Sequence, residues 1–116
     1  MATTECIFCK IVAGELPAAV VRQDEHTVAF RDINPQAPTH VLVVPKRHIP
    51  AVDALEEVDA ELIGRLVLAA RAVARQEGIS GAGYRLVLNN GPAAGQTVDH
   101  IHLHVLGGRQ MHWPPG

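Results

Sequence analysis

The chain has 116 residues, of which 47% are hydrophobic and only 3% aromatic, so we expect one core built from Val, Leu, Ile and Ala. Its net charge of -2, with both signs interspersed, gives no electrostatic reason to bind nucleic acid or a membrane surface. Arg65, Arg71 and Arg75 interrupt the most apolar region, which excludes a membrane span. Residues 1–10 show no secretory leader. We therefore expect a single domain over residues 1–116 of a soluble, cytoplasmic protein, with its two cysteines reduced or metal-bound.

Short apolar runs predict the first strands. The runs Ala18–Val21 and Thr27–Arg31 are separated by a turn at residues 23–25. Residues 32–38 are rich in Asp, Asn and Pro, which favour a loop. His40–Val44 then predicts a buried strand that ends at the following proline.

The periodicity changes to that of a helix between Asp53 and Gly78. We expect the helix to begin either at Asp53, supported by Glu56, or at Asp59, and Gly78 is a typical C-terminal stop. Arginines and glutamates lie opposite a stripe of apolar residues: Leu62, Ile63, Leu66, Val67, Ala70, Val73 and Ala74.

The C-terminal third returns to strands. Tyr84–Asn89 predicts one strand, Gly91–Gly95 a flexible connector, and Val98–Leu106 a final strand. Because strands come before and after one long helix, an α+β fold with an antiparallel sheet and a helix on one face is favoured.

Three histidines alternate with aliphatic residues in the final predicted strand. Strand periodicity places His100, His102 and His104 on one face, with Ile101 and Leu103 on the other. Neighbouring histidines would lie ~6.6 Å apart and the outer two ~13 Å apart. A zinc ion holds its nitrogen ligands at about 2.0–2.1 Å, so two of these histidines could share a metal but three on a straight strand could not easily do so. At least one imidazole is therefore available for other chemistry.

Cys6 and Cys9 form a CxxC motif. On its own this motif is compatible with zinc binding, with redox chemistry or with two small hydrophobic side chains. A thioredoxin-like role is disfavoured because the motif opens the chain and does not lie between a strand and a helix.

Residues 96–106, QTVDHIHLHVL, resemble the signature of the histidine triad (HIT) family. The resemblance covers most of the chain, including residues 6–11 (CIFCKI), 30–40 (FRDINPQAPTH), 45–49 (PKRHI) and the tail 107–116 (GGRQMHWPPG). The tail is similar to that of the Hint branch. The resemblance implies a HIT-like fold: about five antiparallel strands, one long helix and a short N-terminal helix.

The resemblance also implies a reaction. In the family the middle histidine, here His102, attacks the α-phosphorus of a nucleotide, and water then cleaves the nucleotidyl-histidine intermediate. Neutral imidazole is chemically suited to this role at cellular pH, provided that a hydrogen bond fixes one ring nitrogen so that the other points at phosphorus. The resemblance implies that a main-chain carbonyl on the same strand makes this hydrogen bond. His104 is similar to the histidine that contacts the phosphate oxygens, and Thr97 to a hydroxyl that faces the phosphate and leaving group; Thr97 could equally be a plain strand residue. The implied enzyme is a nucleoside phosphoramidase that needs no catalytic metal.

The family pattern further implies a site for an AMP-like purine nucleotide. Its apolar slot would comprise Phe8, Ile11, Phe30 and Ile33, each of which could also be ordinary core. Asp32 matches the carboxylate that accepts hydrogen bonds from the ribose, or it could simply start a turn. Contacts on the phosphate side are implied for Asn89, Gly95 and Gln96. Arg31 stands where familiar animal Hint proteins have histidine.

A structural zinc ion and a homodimer are implied as well. The zinc ligands would be Cys6, Cys9, His48 and His100. The dimer would pair through the long helix and a strand, and the tail with Trp113 would reach the partner's nucleotide site. His40 resembles a supporting histidine, although a core histidine is an equal alternative.

Two other functions are compatible with these residues. One is a regulatory module that binds AMP with only residual catalysis, and the other is a zinc hydrolase that uses the histidine face together with the cysteines. The sequence pattern indicates a nucleotide as the ligand. It does not identify the leaving group attached to phosphorus, the proton donor to that group or the pathway.

Overall fold

A computed structural model describes residues 5–116; the first four residues, which we included in the predicted domain, lie outside the described residues. The helices are α1 (Ile7–Val12) and α2 (Ala60–Gln76), and the strands are β1 (Val20–Gln23), β2 (Thr27–Arg31), β3 (Thr39–Pro45), β4 (Tyr84–Leu88) and β5 (Leu103–Gly107). No helix in this described part combines the length and the apolar character needed to cross a bilayer.

The five strands form one antiparallel sheet in the order β1-β2-β3-β5-β4. The predicted α+β fold, with its long helix and short N-terminal helix, is confirmed. All seven residues of β3 are buried because this strand lies in the middle of the sheet. Its neighbour β5 pairs Leu42 of β3 with His104, so His104 also lies near the centre of the sheet.

The two faces of the sheet are covered by different helices. On one face α2 packs part of the predicted apolar stripe against β2, β3 and β5, namely Leu66, Ala70, Val73 and Ala74. Val67 was predicted in the same stripe, but it is exposed. On the other face Phe8 of α1 joins a cluster with Phe30 and Leu42. A six-residue helix is too short to be stable alone, so α1 depends on these tertiary contacts.

Helix α2 begins at Ala60, directly after Asp59, so the predicted start at Asp53 is wrong. The residues before it form two short 3₁₀ turns. The extended backbone at Leu55 and Glu56 separates these turns and prevents one continuous helix from starting at Asp53. Asp59 accepts a 2.9 Å hydrogen bond from the N–H of Glu56, and Glu56 accepts one in return, which stabilises the start of the helix.

The helix ends at Gln76, and Gly78 follows in a left-handed conformation with φ of 75°. The predicted stop at Gly78 is therefore confirmed to within two residues. Glycine ends the helix here because it adopts the left-handed conformation without steric cost.

The turn between β1 and β2 is stabilised by Asp24. Its Oδ1 accepts hydrogen bonds of 2.8 Å from the N–H groups of His26 and Thr27, and its Oδ2 accepts one of 2.8 Å from Arg22. Burial alone would raise the pKa of Asp24, but these hydrogen bonds outweigh it and hold the pKa well below its ordinary value. The first strand begins two residues later than predicted and contains an irregularity between Val20 and Arg22.

The final strand is shorter than predicted. It starts at Leu103, so only His104 of the three histidines lies in a strand, and the prediction of one strand over Val98–Leu106 is wrong. The partner strand β3 ends at Pro45, which has no N–H to offer the ladder. The Pro45 carbonyl instead accepts a 2.9 Å hydrogen bond from the His100 side chain. A side chain thus replaces the ladder at this end of the sheet.

Candidate active site and metal centre

A cleft of about 470 Å³ opens beside α1 and the β2–β3 face of the sheet. This volume is within the range of small-molecule sites. All four residues predicted for the apolar slot contribute to its lining, together with four polar residues predicted for the site: Phe8, Ile11, Phe30, Ile33, Asp32, Thr97, His102 and His104. Phe8 and Phe30 are buried at its base, and Ile33 is fully exposed at its rim. The structure therefore brings together the predicted purine, ribose and catalytic residues.

His102 is buried and held at both ends of its ring. Its Nδ1 lies 2.8 Å from the main-chain oxygen of His100. A carbonyl only accepts, so in the neutral ring Nδ1 carries the proton and Nε2 carries the lone pair. The Phe8 ring packs edge-on against the His102 ring with centroids 5.1 Å apart. These two contacts fix the orientation of the His102 ring and the position of its Nε2.

His104 has the opposite tautomer, which is set by a chain of hydrogen bonds. The N–H of Gln36 donates to His40 Nδ1 at 3.0 Å, so His40 carries its proton on Nε2. His40 Nε2 in turn lies 2.9 Å from His104 Nδ1 and donates to it. His104 therefore carries its proton on Nε2, where it can act as a hydrogen-bond donor. Sequence reasoning gave His40 no definite role, because it is 64 residues from His104 in the chain.

Electrostatics keep this pair neutral. Burial, together with the neighbouring His102 and His40, lowers the pKa of His104 to about 4 against the opposing charge of Asp32. Burial also lowers the pKa of His40, again with Asp32 opposing the shift. Both rings are neutral near pH 7, so each has one donor and one acceptor nitrogen.

Asp32 starts a turn, which was one of its two predicted roles, and its contact with a ribose stays a prediction. Its Oδ1 accepts a 2.8 Å hydrogen bond from the N–H of Asn34, which forms the turn after β2. Its Oδ2 lies 3.4 Å from His40 Nε2, and the side chain lines the cleft. The turn therefore fixes a carboxylate beside the histidines.

Of the residues predicted on the phosphate side, Thr97 lines the cleft, whereas Asn89, Gly95 and Gln96 do not. Thr97 is exposed and lines the cleft. Gln96 is buried, and its side chain donates to the carbonyls of Pro50 and Val98 and accepts from the N–H of Gly91. Its contact with phosphate stays a prediction, and in the structure its side chain stabilises the connector that positions Thr97.

Gly95 and Asn89 do not line the cleft. Gly95 has a φ of 94°, which favours glycine, and donates its N–H to the Pro92 carbonyl at 3.0 Å. Asn89 directly follows β4. Their contacts with a nucleotide also stay predictions.

Trp113 is largely exposed and lies outside the cleft of its own chain. The tail before it is held by Arg85, which donates a 2.8 Å hydrogen bond to the carbonyl of His112. The predicted contact of Trp113 would be made with the nucleotide site of a partner chain, and it stays a prediction.

A second cluster contains the four predicted zinc ligands. The ligand atoms of Cys6, Cys9, His48 and His100 all lie within 4.8 Å of one another. His100 Nδ1 lies 3.4 Å from Cys6 Sγ and 3.6 Å from Cys9 Sγ, and His48 Nδ1 lies 3.2 Å from both Cys9 Sγ and His100 Nδ1. Tetrahedral zinc, with bonds of about 2.3 Å to sulfur and 2.0–2.1 Å to nitrogen, requires ligand separations of about 3.5 Å. The donor set and its spacing fit zinc.

The outer nitrogen of His100 supports the same interpretation. His100 Nε2 donates to the carbonyl of Pro45, which leaves the lone pair of Nδ1 directed at the cluster. Asp32, His40 and His104 are also close enough to hold a metal. However, His40 Nδ1 accepts a hydrogen bond, so His40 Nε2 carries a proton and cannot ligate a metal without losing that arrangement. These three residues form a hydrogen-bond network.

Comparison with known proteins decides the family. A model of the HIT domain matches residues 13–111. The chain belongs to the histidine triad (HIT) family. It is 53% identical over 112 residues to a "14 kDa zinc-binding protein" of Zea mays, covering 95% of this chain and 87% of that one.

Solved HIT structures superpose on the whole fold. A HIT family hydrolase from Legionella pneumophila has a TM-score of 0.95 and 54% identity, with coverage of 97% of this chain and 100% of that one. A histidine triad nucleotide-binding protein from Candida albicans has a TM-score of 0.82 and 30% identity, with coverage of 95% and 83%. The architecture of the HIT fold is therefore shared over essentially the entire described chain.

Proposed function

We propose that this HIT protein is a hydrolase that cleaves purine nucleoside phosphoramidates, or related nucleotidyl substrates, through a covalent intermediate on His102. The observation that carries the proposal is the tautomer of His102, whose Nδ1 donates to the His100 carbonyl at the edge of the cleft. In the neutral ring this bond places the proton on Nδ1 and the lone pair on Nε2, from which it would attack phosphorus.

The reaction would proceed in two displacements. The Nε2 lone pair of His102 attacks the α-phosphorus, a phosphorus–nitrogen bond forms, and the bond to the leaving amine breaks with its electron pair on that amine, which takes up a proton. Water then attacks the same phosphorus and releases AMP and the imidazole. The N–H on His104 Nε2 would donate to a phosphate oxygen, where negative charge increases in each transition state.

The lining of the cleft supports a purine nucleotide as substrate. A purine would lie among Phe8, Ile11 and Phe30, where its apolar faces replace water. Asp32 would accept hydrogen bonds from the ribose hydroxyls, because a carboxylate accepts at both oxygens. The hydroxyl of Thr97 would face the phosphate and the leaving group. The nucleotide-binding protein of Candida albicans shares this fold, which adds support for the ligand class.

Substitution of His102 by alanine tests this mechanism. We expect turnover of an adenosine 5′-phosphoramidate to fall by roughly 10³-fold or more, because the nucleophile is removed. The wild-type chain, rapidly quenched with acid, should carry a nucleotidyl group on His102 detectable by peptide mass spectrometry. His26→Ala removes a partly exposed histidine outside the cleft and should keep full activity. Undiminished turnover by the His102 variant would refute the mechanism.

The alternative function, AMP binding with residual catalysis, uses the same cleft. It predicts tight AMP binding by wild-type protein together with turnover hardly above that of the His102→Ala variant. Calorimetric measurement of AMP affinity beside steady-state turnover distinguishes the two functions. The hydrolase is favoured because nucleotide binding alone does not require the opposite tautomers of His102 and His104.

We further propose a structural zinc ion on Cys6, Cys9, His48 and His100, supported by their spacing and by the zinc-binding maize relative. When bound, zinc would crosslink α1 to the segments around residues 48 and 100, and it would supply no chemistry to the reaction. Thiolate ligands of this kind stay reduced in the cytoplasm, where we expect the protein to act.

A homodimer is the proposed assembly. β4 is an edge strand, and it exposes Leu86 and Leu88, while α2 exposes Val67 and Leu68. An edge strand flanked by exposed apolar side chains is suited to pairing with a second copy that continues the sheet. The tail of each chain, with Trp113, would then be available to the site of its partner.

A further inference from the structure

The segment that carries the nucleophile lies outside the sheet. Strand β5 begins only at Leu103, so the hydrogen bonds of the ladder do not hold His102. Among the contacts that hold this segment are the hydrogen bond of the Ile101 N–H to the Ile49 carbonyl at 2.7 Å and those of the His100 side chain. Its position therefore depends in part on what holds His100.

The metal cluster holds His100 from one side. The His100 ring lies between the Pro45 carbonyl and the thiols of Cys6 and Cys9, and it is completely buried. The main-chain oxygen of His100 also accepts the hydrogen bond that His102 Nδ1 donates. One residue thus links the metal ligands to the tautomer of the nucleophile.

Phe8 provides a second, independent link. It lies between the two cysteines in α1, and its ring packs edge-on against His100, His102 and Phe30 at centroid distances of 5.9, 5.1 and 5.3 Å. Cys6 forms the N-terminal cap of this six-residue helix, because its Sγ accepts from the N–H of Cys9 at 3.4 Å. A helix this short depends on such contacts.

We propose that the Cys6–Cys9–His48–His100 cluster positions the nucleotide site, so that metal binding and nucleotide binding strengthen one another. This inference rests on the proposed nucleotide function and deepens it. Metal on the cluster fixes Phe8 in the purine slot and fixes the His100 carbonyl that orients His102. Cys6, Cys9 and His100 are therefore positioning residues, and the availability of metal controls the affinity for nucleotide.

Reciprocal binding gives a test that does not depend on turnover. If metal raises the affinity for AMP by a given factor, AMP must raise the affinity for metal by the same factor. We expect a factor of about ten, within the usual range of such couplings. The intact zinc-loaded chain is titrated with a chromophoric chelator with and without saturating AMP, and the two zinc affinities are compared. Equal affinities would overturn the proposal.

Two variants separate this local coupling from general stabilisation. Phe8→Leu keeps an apolar side chain but removes the aromatic contacts, and it should reduce the factor to below about three while zinc still binds. Lys10→Ala changes the same helix outside the cleft lining and should keep the full factor. Full coupling in the Phe8 variant would contradict the proposed route.

Hydrogen exchange on the metal-free chain completes the test. We expect faster exchange in residues 6–12 and 99–102, with the strands β2, β3 and β5 still protected. Unfolding of the whole sheet without metal would overturn the proposal, because the coupling would then belong to the entire fold. Coupling without turnover would leave this inference standing and remove the hydrolase, whereas turnover without coupling would do the reverse.

Discussion

The hydrogen bond between His40 and His104 allows a quantitative prediction. It joins Nε2 of the buried His40 to Nδ1 of the half-buried His104 at 2.9 Å. Replacement of His40 by leucine removes the donor and leaves Nδ1 of His104 unpaired. Loss of a buried hydrogen-bond partner costs about 1–3 kcal/mol. Since about 1.4 kcal/mol corresponds to a factor of ten in rate, we expect kcat to fall by roughly 5- to 150-fold.

The assay is steady-state hydrolysis of an adenosine 5′-phosphoramidate. The effect should appear mainly in kcat and only weakly in KM, because His104 would donate to an oxygen whose charge grows in the transition state. His40→Gln is the matched control, since its amide N–H can take the place of the Nε2 donor, and it should stay within a few-fold of wild type.

Nitrogen NMR of the imidazoles gives a readout that a merely structural role would not change. In the wild-type chain the proton of His104 should lie on Nε2, and in the leucine variant it should become distributed over both nitrogens. Equal kcat values for the leucine and glutamine variants, or an unchanged His104 tautomer in the leucine variant, would refute the reasoning.

Two further predictions concern stability and assembly. Asp24→Asn should lower the free energy of unfolding near neutral pH and make this free energy depend less on pH in acid. The pKa of Asp24 is depressed in the folded chain, so the carboxylate stabilises the fold fully above the unfolded pKa of 3.8. This stabilisation is lost progressively as the pH falls below that value. Urea unfolding from pH 7 to pH 3 measures this, Asp53→Asn should keep the wild-type slope, and parallel curves for both variants would contradict the argument. For the dimer, Leu68→Glu combined with Leu86→Glu should give a monomer in sedimentation, whereas Val58→Glu, exposed outside α2 and β4, should not. An unchanged mass for the double variant would exclude the proposed interface.

The strands and the core were predictable where burial repeats with a fixed period. Strand β2 has the predicted bounds Thr27–Arg31, because apolar residues fill it between two polar turns. The stripe of α2 was readable for the same reason, but its start was not: Asp53 and Asp59 are both acceptable caps in sequence. The extended backbone around Leu55 decides between them, and that is a tertiary effect.

The residues of the cleft were predictable through the family resemblance, and so was a main-chain carbonyl as the partner of His102, whereas the partners of His100 and His40 were not. The Pro45 carbonyl lies 55 residues from His100 in sequence, and the N–H of Gln36 is a main-chain group with no signature in the sequence. Alternation correctly predicted that the histidines avoid the α2 face, since Leu103 and Val105 occupy it. It failed for the strand bounds, because the alternation continues beyond the last ladder pair at Leu103.

The spacing of the three histidines cannot by itself explain their different chemistry. Each ring has two nitrogens, and the partner of the one directed away from its site sets the state of the other. A carbonyl acceptor leaves the Nδ1 lone pair of neutral His100 for the proposed metal, and a carbonyl acceptor on the opposite nitrogen leaves the Nε2 lone pair of neutral His102 for the proposed attack. A donor, His40, instead makes His104 a donor itself. In this fold the main-chain oxygens of Pro45 and His100 therefore set which nitrogen of each of these two rings is available for chemistry.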